Sequence, residues 1–161
     1  NAVIESAVRV ARGEWQGIAE VVTELDPALP LVPCLAGSIN HVVVNMLVNA
    51  AHAIEAVAMP GRPGRIVVST RYAGTTAEIR IRDNGAGMSD EVRSRVFDPF
   101  FTTKEVGRGT GQGLAIAHGV VLKHQGTIVV DSTPGTGSCF TIALPLARAD
   151  VVAATGGKSA A

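Results

Sequence analysis

Between Glu105 and Leu114 the chain reads EVGRGTGQGL, with glycine at every second position from Gly107 to Gly113. Glycine loses more backbone freedom on folding than any other residue, so this run holds no fold of its own. Its shape must come from what flanks it. On its C-terminal side stands an apolar stretch, Leu114 to Leu122, and either Gly111 or Gly113 opens a helix there that runs to His124. The first N–H groups of a helix lack internal partners and carry partial positive charge. A glycine loop at that end lets an anion such as a phosphate come close to the backbone, and Lys104 and Arg108 add charge. The loop is also suited to act as a lid that a bound ligand orders. Ordinary flexible turns share this composition, so the reading depends on the rest of the chain.

The chain has 161 residues, of which 47% are hydrophobic, enough for one domain with one core. Lys and Arg total 14, as do Asp and Glu, giving no net charge and no basic excess for nucleic acid. Cys34 and Cys139 make neither a metal spacing nor a disulfide framework, which fits a reducing, cytoplasmic setting. The most apolar stretch, Val42 to Met59, is interrupted by Asn45, Asn49, His52 and Glu55. It reads as a helix of a soluble domain with no direct membrane contact.

A leading helix is expected over Ala2 to Arg12, within a segment 1–14, then a strand over Ile18 to Leu25. Ser38 is the expected N-cap of a long helix from Ile39 to about Val57. The break PGRPG at 60–64 separates it from a hairpin, Arg65 to Tyr72 and Thr75 to Arg82. A short helix over Ser89 to Val96 precedes a loop over Pro99 to Thr110. Gly126 is the expected left-handed residue past the end of the later helix. Two more strands, Thr127 to Asp131 and Cys139 to Leu144, close the folded part, and 146–161 reads as a tail or linker. The pattern predicts a two-layer α/β sandwich, a mixed sheet of about five strands with about three main helices on one face.

Two polar features stand out within this frame. Asn45, Asn49 and His52 fall within an arc of about 60° on the long helix, beside its apolar stripe. Asn weakens a helix, while its side-chain oxygen is a good neutral ligand for Mg²⁺. A plain solvated face is the competing reading. In the second hairpin strand Ala77, Ile79 and Ile81 alternate with Glu78, Arg80 and Arg82, which puts Asp83 on the apolar side. An inward carboxylate needs a partner. A ligand N–H suits it, such as the exocyclic amine of adenine; guanine would offer an oxygen instead. The competing reading is an ordinary turn, DNGAGM, with Asp83 capping its own backbone.

Three of the four phenylalanines, Phe97, Phe100 and Phe101, cluster before Thr102, Thr103 and Lys104 and anchor the start of the glycine loop. In order along the chain stand Asn45 to Ala50 (NMLVNA), Asp83 to Gly87 (DNGAG), Phe97 to Lys104 (FDPFFTTK), and Gly109 to Leu114 (GTGQGL). This series resembles the N box, first glycine box, F box and second glycine box of bacterial sensor histidine kinases. Gly135 to Phe140 (GTGSCF), including Ser138, resembles the final glycine box. The resemblance covers about residues 15 to 145.

That resemblance implies the Bergerat ATP-binding fold, shared with DNA gyrase, MutL and heat-shock chaperones, over a domain 1–145. It carries Mg²⁺ coordination to Asn49 with Asn45 beside it, and adenine recognition to Asp83 with Gly85 and Gly87 shaping the pocket. Nucleotide contacts fall to Phe97, Phe100, Thr103, Lys104, Arg108, Gly109, Thr110, Gly111, Gly113, Leu114 and Ser138. His52 stands where the family often has a basic residue, and Gln112 where Leu is common.

The ATPases of this superfamily, and the serine-kinase anti-sigma factors, place a Glu where Asn45 stands. An amide cannot accept a proton from water, so general-base hydrolysis loses its agent. The expected function is therefore to hold MgATP, with Asn45, Asn49 and Lys104 at the reacting end. The γ-phosphate goes to a histidine on a separate dimerisation domain of the same kinase, and from there to a response regulator. His41, His52, His118 and His124 do not lie in a phosphoacceptor setting. The chain is expected to be the catalytic part of a longer kinase, whose parent is open to membrane anchoring. The alternatives are a Bergerat-fold ATPase, an anti-sigma kinase, or a nucleotide-binding regulatory module without catalysis.

Overall fold

A computed structural model describes residues 1–58, 61, 63–102 and 111–146. Helix α1 spans Ala2–Val10 and a short α2 spans Arg12–Trp15; strand β1 follows at Ala19–Glu24. The long helix α3 covers Ala36–Glu55, and the hairpin is β2 (Gly64–Ala73) and β3 (Thr76–Asp83). Then come α4 (Asp90–Arg95), α5 (Gly113–Lys123), β4 (Thr127–Thr133) and β5 (Gly137–Pro145). The strands form one sheet in the order β1-β2-β3-β5-β4. β1 and β2 are parallel, which requires a crossover, and α3 supplies it. The other pairs are antiparallel. The sheet is therefore mixed, with α1, α3 and α5 as its helical layer, as the sequence predicts.

The core lies between these layers. Ile39, Val42, Val43, Met46, Leu47, Ala50 and Ile54 of α3 are buried with Ile66 and Val68 of β2 and Ile79 and Ile81 of β3. Each of these side chains except Ala50 contributes roughly 1.5–3 kcal/mol of burial before its entropy cost. Ile4 and Ala7 of α1, and Ala117 and Val121 of α5, complete the same cluster. Val57, expected in the apolar stripe, lies past the end of α3.

Three local expectations are corrected. The first helix stops at Val10, because the chain turns at Ala11, which is buried, and Trp15 Nε1 then donates to Val8 O at 3.3 Å. Ser38 does not cap α3; the N-cap is Leu35, and Ser38 is the third residue of the helix. The Leu35 amide finds its acceptor 89 residues away, donating to His124 Nε2 at 3.1 Å. His124 Nδ1 lies 2.8 Å from Val120 O, so Nδ1 carries the ring hydrogen. The left-handed residue after α5 is Gln125, with φ 58°, and not Gly126. Gly126 is needed for close approach: a Cβ there would sit 2.6 Å from Ala143 O. The expected tail lies, apart from Leu146, outside the described residues, as does most of the loop before α5.

Candidate functional site

β3 ends on Asp83, which continues the inward row of Ala77, Ile79 and Ile81 and is only 6% exposed. Its Oδ1 accepts the amides of Gly85 at 2.8 Å and Ser138 at 3.3 Å. Among the described residues Oδ2 accepts no hydrogen bond. The backbone-capping reading is thus right for one oxygen. Burial pushes this carboxyl above the usual carboxylate range, against the lowering effect of the Gly85 and Ser138 amides.

The glycine turn after Asp83 is pinned on two sides. Ala86 N donates to Ala53 O of α3 at 2.9 Å, and a Cβ on Gly85 would lie 2.5 Å from the Ala53 carbonyl carbon. On the other side Gly135 N donates to Ala86 O at 2.7 Å. Gly87, at φ 66°, leaves no room for a Cβ beside Thr133 O. Gly85 and Gly87 therefore let the turn pack onto α3 and against the end of β4.

The polar stripe of α3 is not a solvated face. Asn45, Asn49 and His52 are all half-buried, whereas His41 and Glu55 carry the exposed side. Asn45 Nδ2 donates to Gly113 O at 3.5 Å, which brings the start of α5 onto the stripe. Among the described residues no side-chain cap bonds the start of α5, whose N-cap is Gln112. Ala53 at one end and Asn45 at the other are eight residues apart, a rise of roughly 12 Å, with Asn49 midway. The turn after Asp83 and the start of α5 thus contact the same helix, at Ala53 and at Asn45.

The aromatic residues stand at the loop's near end. Phe97 stacks on His118 with centroids 5.1 Å apart and meets Phe140 edge-on at 6.4 Å. Phe100 is 72% exposed at φ 65°, and its amide donates to Gly111 O at 3.0 Å. That bond closes the base of the glycine loop, and a Cβ on Gly111 would lie 2.6 Å from the Phe100 carbonyl carbon. Leu114 packs against the core, and Ser138 is buried. Thr103, Lys104, Arg108, Gly109 and Thr110 lie outside the described residues. Sequence reasoning missed Ala53 and Ser132, whose contacts with the glycine turn come from distant segments and leave no local signal. A cavity of about 300 Å³, lined by Glu24, Asp26, Ser69, Thr70, Arg71 and Arg80, shares no residue with this group.

A mixed sheet backed by three helices, with a buried Asp at the end of a central strand and a glycine turn after it, defines a two-layer α/β class of domains. Residues 35–148 match the family described as histidine kinase-, DNA gyrase B- and HSP90-like ATPase. The chain is 37% identical over 148 residues to the signal transduction histidine-protein kinase AtoS of Escherichia coli (strain K12), covering 91% of this chain and 23% of that protein. It is 38% identical over 121 residues to the sensor histidine kinase ZraS of Klebsiella oxytoca, covering 74% of this chain and 24% of that one. The solved structure of the mycobacterial sensor histidine kinase MprB superposes with a TM-score of 0.75 at 30% identity, over 89% of this chain and 93% of that one. This chain belongs to the histidine kinase-, DNA gyrase B- and HSP90-like ATPase family. It spans about a quarter of the length of the curated relatives it matches.

Proposed function

We propose that the domain binds MgATP along α3 and presents the γ-phosphate to a histidine on a separate dimerisation domain of a two-component sensor kinase, which then passes it to a response regulator. The observation that carries this reading is the half-used carboxylate of Asp83, with Oδ1 bonded to Gly85 and Ser138 and Oδ2 open. A buried acceptor of this kind selects a base carrying an amine over one carrying an oxygen. The roughly 12 Å between the Ala53 and Asn45 ends suits a nucleotide laid with its base at Asp83 and its phosphates at α5. Lys104, Arg108, Gly109 and Thr110 are proposed to complete the phosphate side.

The residues present fit Mg²⁺ in a limited way. Among the described residues no group of three His, Cys, Asp or Glu side chains gathers to cage a metal. The half-buried Asn49 amide can offer one neutral oxygen, which suits an ion held otherwise by phosphate oxygens and water. When bound, the ion would neutralise phosphate charge.

Transfer requires an imidazole nitrogen to bond to the γ-phosphorus as the bond to the β,γ-bridging oxygen breaks, with ADP leaving. Asn45 occupies the place from which a carboxylate would activate water, and its amide cannot take a proton. An imidazole brings its own lone pair and needs no such base, so the site favours transfer over hydrolysis. No helix among the described residues is long and apolar enough to cross a membrane. We assign the domain to the cytoplasm, with the parent kinase free to be membrane-anchored.

The test is to mix the purified chain, γ-labelled ATP and the cognate dimerisation domain. Label on that domain, with little ADP from the chain alone, is the expected result. Rapid ADP release by the chain alone points instead to an ATPase. ATP binding without transfer points to a regulatory module.

A further inference from the structure

Three hydrogen bonds join the stretch 83–88 to the β4–β5 hairpin. Two have been described, Gly135 N to Ala86 O and Ser138 N to Asp83 Oδ1. The third is made by a side chain that no motif singles out: Met88 N donates to Ser132 Oγ at 2.8 Å. Ser132 lies on β4 directly opposite Ser138 on β5. Its hydroxyl is also 2.9 Å from Ser138 Oγ and 3.1 Å from Gly137 O.

A hydroxyl has one hydrogen and two acceptor sites. Ser132 spends one acceptor site on Met88, so its hydrogen has two possible destinations. If it goes to Gly137 O, the Ser138 hydroxyl can donate back to Ser132 and keeps a lone pair to act as an acceptor. If it goes to Ser138 Oγ, Ser138 must donate its own hydrogen elsewhere. Ser138 is 6% exposed.

We propose that Ser132 is a positioning residue for the nucleobase: it holds the glycine turn at Met88 and sets the direction of the Ser138 hydroxyl beside Asp83. The proposal rests on the reading of Asp83 as the base acceptor. Ser132 touches neither base nor phosphate and acts through Met88 and Ser138. Its loss therefore alters discrimination at the base edge more than grip on the phosphates. A purely structural tie would weaken every nucleotide alike.

The experiment is calorimetric titration of the chain, in Mg²⁺, with ATP and with purine riboside 5′-triphosphate, which lacks the 6-amino group. Wild type is expected to prefer ATP. Ser132→Ala is expected to reduce that preference about three- to tenfold, the worth of one neutral hydrogen bond, with the analogue's affinity changed less than about twofold. Ser132→Thr, which keeps the hydroxyl, should restore the preference. If Ser132→Ala does not fold, Ser132→Cys is read in its place, since it keeps the volume and is a weak acceptor. A parallel loss for both nucleotides, with the preference unchanged, overturns the role of Ser132 and leaves Asp83 untouched. A wild type that binds both equally overturns the reading of Asp83, and the proposal with it.

Discussion

The amide of Gly85 donates to Asp83 Oδ1 across 2.8 Å, so the turn that follows the carboxylate also aims it. Oδ1 is held by the chain, and among the described residues Oδ2 accepts no hydrogen bond. Glycine at 85 is what lets the turn reach that position, because α3 lies directly behind it.

Replacing Asp83 by Asn keeps the shape and the Oδ1 acceptor but sets an amine against the amine of adenine. ATP affinity in Mg²⁺ should fall by about 100-fold or more, the loss expected when a buried acceptor is exchanged for a donor. Calorimetry on the folded variant checks this. An affinity within about threefold of wild type would remove Asp83 from base recognition.

The same carboxylate makes a pH prediction. Its folded value is raised above the ordinary 3.8 by burial, so the folded chain holds the proton more tightly than the unfolded chain. The associated stability is present in full below 3.8 and is lost as pH rises through the raised value. Asp83→Asn should therefore gain in urea midpoint relative to wild type as pH increases across that window. A difference between the two that is flat from about pH 4 to about pH 8 contradicts the claim. Asp26 acts in the opposite sense: the amides of Tyr72 and Ala28 hold it below 3.8, so its contribution is lost as pH falls through the lowered value.

Along α3 the two asparagines should separate in function. Asn45 donates to Gly113 O, and Asn49 lies one turn further along α3. Asn49→Ala is expected to weaken Mg²⁺-dependent ATP binding about tenfold or more, and more than Asn45→Ala does. Titrations with and without Mg²⁺ decide it. Equal affinities for wild type and Asn49→Ala in Mg²⁺ would take the metal away from Asn49.

Gly85→Ala would drive a methyl into the Ala53 carbonyl, 2.5 Å from its carbon. Backbone cannot yield cheaply there, and a loss of about 2–4 kcal/mol in unfolding free energy is expected, together with ATP binding. Gly13→Ala, with nothing within 4 Å of the added Cβ, should be neutral or stabilising by up to about 1 kcal/mol. Denaturant titrations of the two variants provide the comparison.

Much of this protein could be read from local pattern. The period of α3, the alternation of β3 and the inward position of Asp83 follow from side-chain spacing, because a buried face repeats every 3.6 residues in a helix and every two in a strand. The spacing of the polar stripe placed Asn45, Asn49 and His52 on one side of α3. Tertiary structure alone decided that Leu35 and not Ser38 begins α3, since His124 supplies the acceptor from 89 residues away. It likewise decided that Gln125 takes the left-handed turn while Gly126 serves close packing against β5. The bonding of Asp83 Oδ1 to Ser138 N and that of Met88 N to Ser132 belong to the same class. A hydrogen bond between distant segments depends on where the whole fold brings two atoms, and no short stretch of sequence records that distance.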